Sequence, residues 1–297
     1  MEESLALNAN EYIERQLDKL NAHLGEVFRS DVLALALNGP LAYGVDDVIH
    51  SSVETFKDKS PTLSVVITTD GGYVEVVQRI AETIRHHYNE VNFIIPNHAF
   101  SAGTILAMSG DSIFMDYYSR LGPIDPQVRS SNGQMVPALG YLIQWEKLLK
   151  KAEEGTITVP EVQLMVDGFD VAELYHYEQA RELSVALLKE WLVKYKFKQW
   201  TYTETTGTVV TKEMKEQRAE EIALKLNDPS RWHSHGSGIS MEVLETEVKL
   251  KIEDFGQEPK KGAVVNYHSL MQDYMDKLGH AGAVHFYGQY IPYLTGR

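Results

Sequence analysis

The residue best placed to do chemistry in this sequence is a serine at the start of an apolar helix. A short apolar strand predicted from Val91 to Ile95 leads into a turn of small residues that carries Ser101. A second apolar strand, Leu63 to Thr68, ends in the turn Asp70-Gly71-Gly72. Strand-to-helix turns expose a hydroxyl, and the helix N-terminus adds partial positive charge where an oxyanion forms. The pattern predicts a hydrolase whose nucleophile is Ser101.

Acyl transfer by a serine also needs donors for the oxyanion and a general base. The backbone N–H groups of Ala102 and of Gly71 or Gly72 are the predicted donors. His98 lies three residues before Ser101, so the chain itself holds it close, and it is one candidate base. The competing interpretation is structural: a serine at this position often only caps a helix, and a double glycine often only makes a turn.

Composition excludes several other classes of function. The chain has 297 residues, no cysteine and a net charge of −14, which excludes thiolate chemistry and disfavours nucleic-acid and anionic-membrane binding. No apolar run is long enough for a membrane span, and the first residues lack a signal-peptide pattern, so we expect a cytoplasmic protein. We expect no cofactor and no metal, because neither a P-loop nor a spaced set of ligands is present.

The predicted elements fall into two halves. An amphipathic helix within residues 1–30 precedes alternating strands and helices up to Met115, which predicts a mainly parallel sheet covered by helices. From Pro137 the pattern becomes helical, interrupted by a threonine-rich loop or hairpin at Thr201 to Thr211. Ser240 is a predicted N-cap, and the tail from Ala263 contains one helix and an aromatic end. We expect residues 31–297 to form one domain with a helical C-terminal extension.

Two motifs carry a resemblance to known peptidases. The run ITTDGG, then a helix, a strand and FSAGTILAMSG, resembles the Clp protease proteolytic subunit and signal peptide peptidase A. The segment LGPIDPQ, at 121–127, and a histidine segment before Ile239 resemble the serine dehydrogenase proteinase family more closely. The resemblance implies an α/β fold, the crotonase-like αβ spiral of the Clp protease, with a mainly parallel sheet and a helical C-terminal half.

The resemblance also implies catalytic partners for Ser101. In the order of the serine dehydrogenase proteinase family, the triad is Ser101, Asp125 and His235, with His235 as general base and Asp125 as the group that orients it. The residues after His235 are Gly236, Ser237 and Gly238, which depart from the family's usual Asp, aromatic and Pro. Signal peptide peptidase A uses a Ser-Lys dyad, for which Lys147 is the alternative base.

The function that the resemblance implies is a serine peptidase acting on unfolded segments or short peptides. It also implies a homo-oligomer, with an unfoldase partner left open. Two other classes stay open: an acyl-CoA hydratase or hydrolase on the same fold, and a non-catalytic scaffold that retains the fold. The changed residues after His235 keep the scaffold open, whereas the acidic chain suits an adenine nucleotide poorly.

Overall fold

The computed structural model describes residues 8–124, 127–129, 135–203, 205–232 and 238–295. At its centre is a seven-stranded sheet with the order β10-β5-β3-β2-β1-β11-β12. Its strands are β1 (Asp31–Leu37), β2 (Thr62–Thr68), β3 (Glu90–Ile94), β5 (Ser112–Met115), β10 (Glu253–Asp254), β11 (His280–Phe286) and β12 (Gln289–Thr295). The helices are α1 (Ala9–Phe28), α2 (Val45–Thr55), α3 (Val74–His87), α4 (Ala102–Ala107), α5 (Ala138–Glu153), α6 (Val159–Gly168), α7 (Val171–Trp191), α8 (Lys212–Leu226), α9 (Pro229–Trp232), α10 (Met241–Val243) and α11 (Lys260–Leu278).

Five of the strands run parallel, as the alternating sequence pattern predicts. β1 pairs with β2, β2 with β3, β3 with β5 and β5 with β10, all in parallel register. β1 and β2 are apolar and buried along almost their whole length. This burial is expected because helices cover both faces of a parallel sheet. The carboxyl ends of β1, β2 and β3 therefore meet at one edge of the sheet, where ligands bind in open α/β folds.

Two apolar layers cover the sheet. Leu33, Leu35 and Ile67 face the layer of α2, α3 and α4, which extends to α7 and α8. The alternate residues Ala34 and Val66 face the layer of α1 and α11. This alternation is the period-two pattern of a strand with a helix layer on each face. The apolar stripe of α1 thus packs inside the chain; residues 3–7 of the helix expected there lie outside the described residues.

The C-terminal segment differs from the sequence prediction. After α11, residues expected to form an aromatic tail instead form the hairpin β11–β12, and β11 pairs antiparallel with β1. The buried residue that obscures the strand pattern is His285, whose Nδ1 contacts the Tyr267 hydroxyl at 2.7 Å and whose Nε2 contacts Asp18 Oδ1 at 2.9 Å. Because both ring nitrogens are paired, an otherwise costly polar residue is accommodated in the core.

A second, three-stranded sheet lies beside the serine turn. It consists of β4 (His98–Ala99), β6 (Arg120–Leu121) and β9 (Ile239–Ser240) in the order β4-β6-β9. β4 and β6 are parallel, with Ala99 opposite Leu121, and β6 and β9 are antiparallel, with Leu121 opposite Ile239. Strands of two residues leave no periodic pattern in a sequence, so this sheet could not be predicted from it.

The remaining chain is largely helical, as predicted. A hairpin β7–β8 (Gln127–Arg129 and Met135–Pro137) precedes α5, and α7 ends in a π-helical turn at Leu192–Lys196, while α10 continues into another at Leu244–Val248. Tyr202 and Val209 form a bridge in the threonine-rich loop, and the Ser240 side chain caps α10, both as expected. Among the described helices, none has the length and apolarity needed to cross a membrane.

Candidate active site

Ser101 occupies an unusual backbone conformation at the start of α4. Its φ of 50° and ψ of −115° lie outside the left-handed helical region, unlike the positive φ of Arg29 and Lys249, which cap helix C-termini within that region. A non-glycine residue held in such a conformation costs about 1–3 kcal/mol. Strained strand-to-helix turns carry the nucleophilic serine in α/β-hydrolases.

The Ser101 side chain does not cap its helix. α4 begins at Ala102 without any side-chain hydrogen bond from Ser101 to the exposed backbone N–H groups. The interpretation of Ser101 as a simple N-cap is therefore not supported by the geometry. Ser101 is fully buried.

Gly71 lies directly against the serine. A Cβ placed on Gly71 would come within 2.8 Å of Ser101 Cβ, 2.9 Å of the Phe100 carbonyl oxygen and 3.3 Å of Ser101 Oγ. The φ of Gly71 is 111°, which L-residues with side chains rarely adopt. Glycine is therefore required at this position for both steric and conformational reasons.

The backbone N–H of Gly72, next to Gly71, has no hydrogen-bond acceptor among the described residues. The Leu41 N–H donates to the Gly71 carbonyl at 2.6 Å and the Tyr73 N–H donates to the Leu41 carbonyl at 3.0 Å, so one side of this extended segment is paired. The Gly71 N–H donates to Thr69 Oγ1 at 3.2 Å. Within the described part of the chain, the buried Gly72 N–H donates to no acceptor. A buried N–H without a partner is rare and fits a donor that awaits an oxyanion.

The three-stranded sheet brings together the chain segments that flank the proposed triad. Ser101 follows β4 by two residues, and the Gly122 N–H just after β6 donates to the Ala99 carbonyl at 3.2 Å. The buried Thr104 hydroxyl donates to the carbonyls of Ala99 and Gly122, at 2.8 and 2.9 Å, which fastens the two segments together. Sequence reasoning missed Thr104, whose position three residues after the serine carries no distinguishing signal.

The predicted partners of Ser101 lie outside the described residues. Asp125 follows Ile124, the last described residue of its segment, and His235 precedes Gly238, where description resumes. Because β4 and β6 are parallel and β9 is antiparallel to β6, the chain leaves β4 and β6 and enters β9 at one end of this sheet. The segments that contain Asp125 and His235 therefore connect to the sheet at the end where Ser101 lies.

A histidine–carboxylate pair lies next to the serine turn. His98 Nε2 is 2.9 Å from Asp70 Oδ1, and Asp70 directly precedes Gly71. His268 of α11 lies nearby, with its Nε2 3.1 Å from Thr68 Oγ1. Burial, and then the charge of His98, lower the pKa of His268 to about 4, so His268 is neutral at physiological pH.

The alternative base Lys147 has a different environment. It lies on α5, is exposed, and belongs to a helix that packs against α7 and α6. Its neighbours Lys150 and Lys151 form ion pairs with Glu154 and Glu161 at 3.9 and 2.5 Å. A lysine that acts as a base must be shielded from solvent, whereas Lys147 is exposed.

Comparison with known proteins identifies the family. Residues 45–229 match the model of the ClpP-like SDH-type serine proteinases, which covers more than half of the chain. The chain belongs to this family. The match includes Gly71, Gly72, Ser101, Asp125 and Lys147, whereas His235 lies beyond its end. Family membership confirms the predicted fold class and the relation to the Clp protease.

Two uncharacterised proteins of Methanocaldococcus jannaschii are related to this SDH-type chain. One is 31% identical over 151 residues, which is 48% of this chain and 50% of the relative. The other is 23% identical over 224 residues, 75% of this chain and 61% of the relative. The chain thus spans only about half to three-fifths of the length of these relatives.

Solved structures similar to this chain include two mutants of the 1510-N membrane-bound stomatin-specific protease. A serine-to-alanine mutant has a TM-score of 0.41 and 15% identity, covering 76% of this chain and 79% of that one. A lysine-to-alanine mutant, in complex with a substrate peptide, has a TM-score of 0.32 and 19% identity, covering 38% of this chain and 57% of that one.

We predict that Gly71→Ala abolishes the reactivity of Ser101. The new methyl group would collide with Ser101 Cβ and the Phe100 carbonyl and displace the hydroxyl. The measurement is the second-order rate constant for labelling by a fluorophosphonate, which we expect to fall at least about 100-fold. Gly155→Ala is the matched control, because Gly155 also has positive φ (67°) but no atom near a Cβ. Equal labelling of the two variants would contradict the proposed packing.

We predict that the protonation of His268 destabilises the folded protein at acidic pH. Its folded pKa of about 4 lies below the ordinary value of 6.5, so protons bind the unfolded chain first as pH falls. The free energy of unfolding should be unaffected by this group above about pH 6.5 and should decline between there and about pH 4. In urea titrations, His268→Gln should remove about 3 kcal/mol of that decline. His23→Gln, an exposed control, should leave the decline unchanged; an identical decline in His268→Gln refutes the assignment.

Proposed function

We propose that this protein is a serine peptidase in which Ser101 attacks a peptide carbonyl and forms an acyl-enzyme. The observation that carries the proposal is the strained Ser101 turn packed on Gly71 beside an unpaired Gly72 N–H. Membership of a serine proteinase family supports the same reaction class. In this reaction the Ser101 Oγ–carbonyl bond forms while a base takes the hydroxyl proton; the C–N bond then breaks, and water hydrolyses the ester.

The oxyanion donors that we propose are the N–H groups of Gly72 and Ala102. Gly72 is preferred over Gly71 because the Gly71 N–H is already bonded to Thr69. Ala102 is the first residue of α4, where backbone N–H groups lack helical acceptors and the helix dipole favours negative charge. Removal of one such donor in another serine hydrolase costs two to three orders of magnitude in turnover.

For the base, we propose His235 oriented by Asp125. The support is topological: their segments join β9 and β6 at the end of the three-stranded sheet from which the chain runs to Ser101. Adjacent strands lie about 4.8 Å apart, so segments leaving three neighbouring strands start within reach of one another. The exposed position of Lys147 weighs against a Ser-Lys dyad built on that residue.

A second candidate base is His98, favoured by its observed contact with Asp70. A carboxylate bound to one ring nitrogen fixes the tautomer and stabilises the imidazolium, as required of a base and its orienting group. His98 is only three residues from Ser101, and its ring lies against the Phe100 ring, with the centroids 4.7 Å apart and the planes tilted by 37°. The two candidates differ in a measurable way, because each predicts a different inactive variant.

The proposed substrates are short peptides or unfolded segments, and the proposed assembly is a homo-oligomer. The apolar stripe of α1 packs against α11 and the sheet inside the chain, so it is not free to form an interface. Helix α6 instead has no buried residue and is the surface that we propose for assembly. Its exposed apolar side chains are Val159, Val162, Leu164 and Val166.

We predict that Ser101→Ala abolishes peptide hydrolysis and leaves the protein folded. Loss of the nucleophile in a serine peptidase lowers kcat by roughly 10⁴- to 10⁶-fold. Hydrolysis is followed with a fluorogenic peptide, and folding by circular dichroism. Ser109→Ala is a matched control, because the Ser109 hydroxyl is also buried and donates to the Leu106 carbonyl of α4 at 2.7 Å. Turnover retained in folded Ser101→Ala would disprove the nucleophile assignment.

We predict that activity rises with pH as an imidazole loses its proton, near pH 6.5 for an ordinary histidine. A neutral histidine accepts the Ser101 proton, so protonation removes activity below its pKa. The pH profile of kcat/KM should show this limb, and His235→Ala should lose activity by at least about 10³-fold. His98→Ala should retain activity.

If His98→Ala loses activity and His235→Ala keeps it, the general base is His98 and not His235. If activity rises only at alkaline pH and Lys147→Ala is inactive, the enzyme uses a Ser-Lys dyad. The titration of His268 does not contribute to the rise of kcat/KM near pH 6.5, because the pKa of His268 is about 4.

A further inference from the structure

Two tyrosines lie together on the loops beside the proposed oxyanion turn. Tyr43 is in the loop after β1, and Tyr73 follows Gly72 in the loop after β2. Their ring centroids are 5.1 Å apart and the rings are tilted by 33°, an arrangement typical of attractive aromatic pairs. Tyr43 remains 61% exposed, so its ring is accessible to another apolar group.

The pair is close to the reacting atoms. A Cβ built on Gly71 would lie 3.3 Å from Ser101 Oγ, and Tyr73 is two residues further along the chain. Two residues span at most about 7 Å, which puts the Tyr73 Cα within about 12 Å of the serine hydroxyl. A peptide side chain one or two residues from the scissile bond covers that distance.

The loop that carries Tyr43 is anchored at several points. The Tyr293 hydroxyl of β12 donates to the carbonyls of Ala42 and Tyr43, at 2.8 and 3.1 Å. The Leu41 backbone pairs with the Gly71–Tyr73 segment, as described above, and the Gly44 N–H donates to Asp46 Oδ1 at 3.0 Å. Asp46 is in turn held by Arg79 at 2.7 Å. An exposed aromatic ring on so constrained a loop is preorganised and loses little entropy on binding.

The charges around the pair are mostly acidic. Partial burial, followed by the carboxylate of Glu75 and the neighbouring Tyr73, raises the pKa of Tyr43. Glu75 is exposed in the first turn of α3, whereas Arg79, the nearby cation, is bound to Asp46 and Asp47. An acidic substrate side chain would be repelled here, and an apolar one would not.

We propose that Tyr43 and Tyr73 form a specificity subsite that binds an aromatic or large apolar side chain of the peptide substrate. This inference rests on the proposed peptidase function. Exposed tyrosines occur elsewhere in the described chain, as at Tyr12 with 59% exposure, and such isolated residues need no explanation. Tyr43 differs because its loop is anchored and its ring is paired with Tyr73, which directly follows the proposed oxyanion donor Gly72.

The experiment compares fluorogenic peptides that are identical except for Phe, Ala or Asp at each position around the cleaved bond. The parent enzyme should prefer Phe over Ala at one position by roughly 10-fold or more in kcat/KM, and Asp should be disfavoured there. Tyr43→Ala should reduce the preference for Phe over Ala to near unity, mainly through KM. Tyr43→Phe should keep the preference, because the ring and not the hydroxyl forms the subsite.

Tyr12→Ala is the matched control and should keep the parent's preference. An unchanged preference in Tyr43→Ala, with Ser101-dependent cleavage intact, overturns the subsite and leaves the peptidase function standing. Absence of Ser101-dependent cleavage of any peptide by the parent overturns the proposed function itself. The same peptides therefore separate the two failures.

Discussion

The contact between Gly71 and the Ser101 turn is the constraint on which the rest of the site depends. Ser101 can hold its φ of 50° only because surrounding structure fixes it, and Gly71 can approach it only because it has no side chain. The same approach packs the Gly71–Gly72 turn against the residue that precedes α4, so the proposed nucleophile and the proposed oxyanion donors depend on a single packing arrangement. Strain of this kind is stable only where neighbouring contacts over-determine the backbone.

Those neighbouring contacts come from two sheets with different tasks. The large parallel sheet brings the loops after β1, β2 and β3 to one edge, and Leu41 bridges two of these loops. The small sheet joins the serine turn to the segments after β6 and before β9. Thr104 links these parts from inside, since its hydroxyl bonds carbonyls of both the serine turn and Gly122. The site is thus assembled from segments spread over most of the chain.

The sequence could predict the parts of this arrangement that depend on periodicity and on local chemistry. The parallel strands are continuous apolar runs. The residue types of Gly71, Gly72 and Ser101 indicate the turns that follow two of these strands. The β11–β12 hairpin could not be predicted, because His285 interrupts the apolar pattern and is satisfied only by the distant residues Asp18 and Tyr267. The contact of His98 with Asp70 also depends on strand pairing that local sequence does not encode.

The central claim is that Ser101 becomes acylated during turnover, and peptide mapping of the quenched enzyme tests it most directly. Enzyme turning over p-nitrophenyl acetate is quenched in acid, digested and examined by mass spectrometry. The account predicts an acetyl group on the fragment that contains Ser101, absent from Ser101→Ala enzyme treated in the same way. An acetyl group on a different residue, with equal ester turnover by Ser101→Ala, would contradict it.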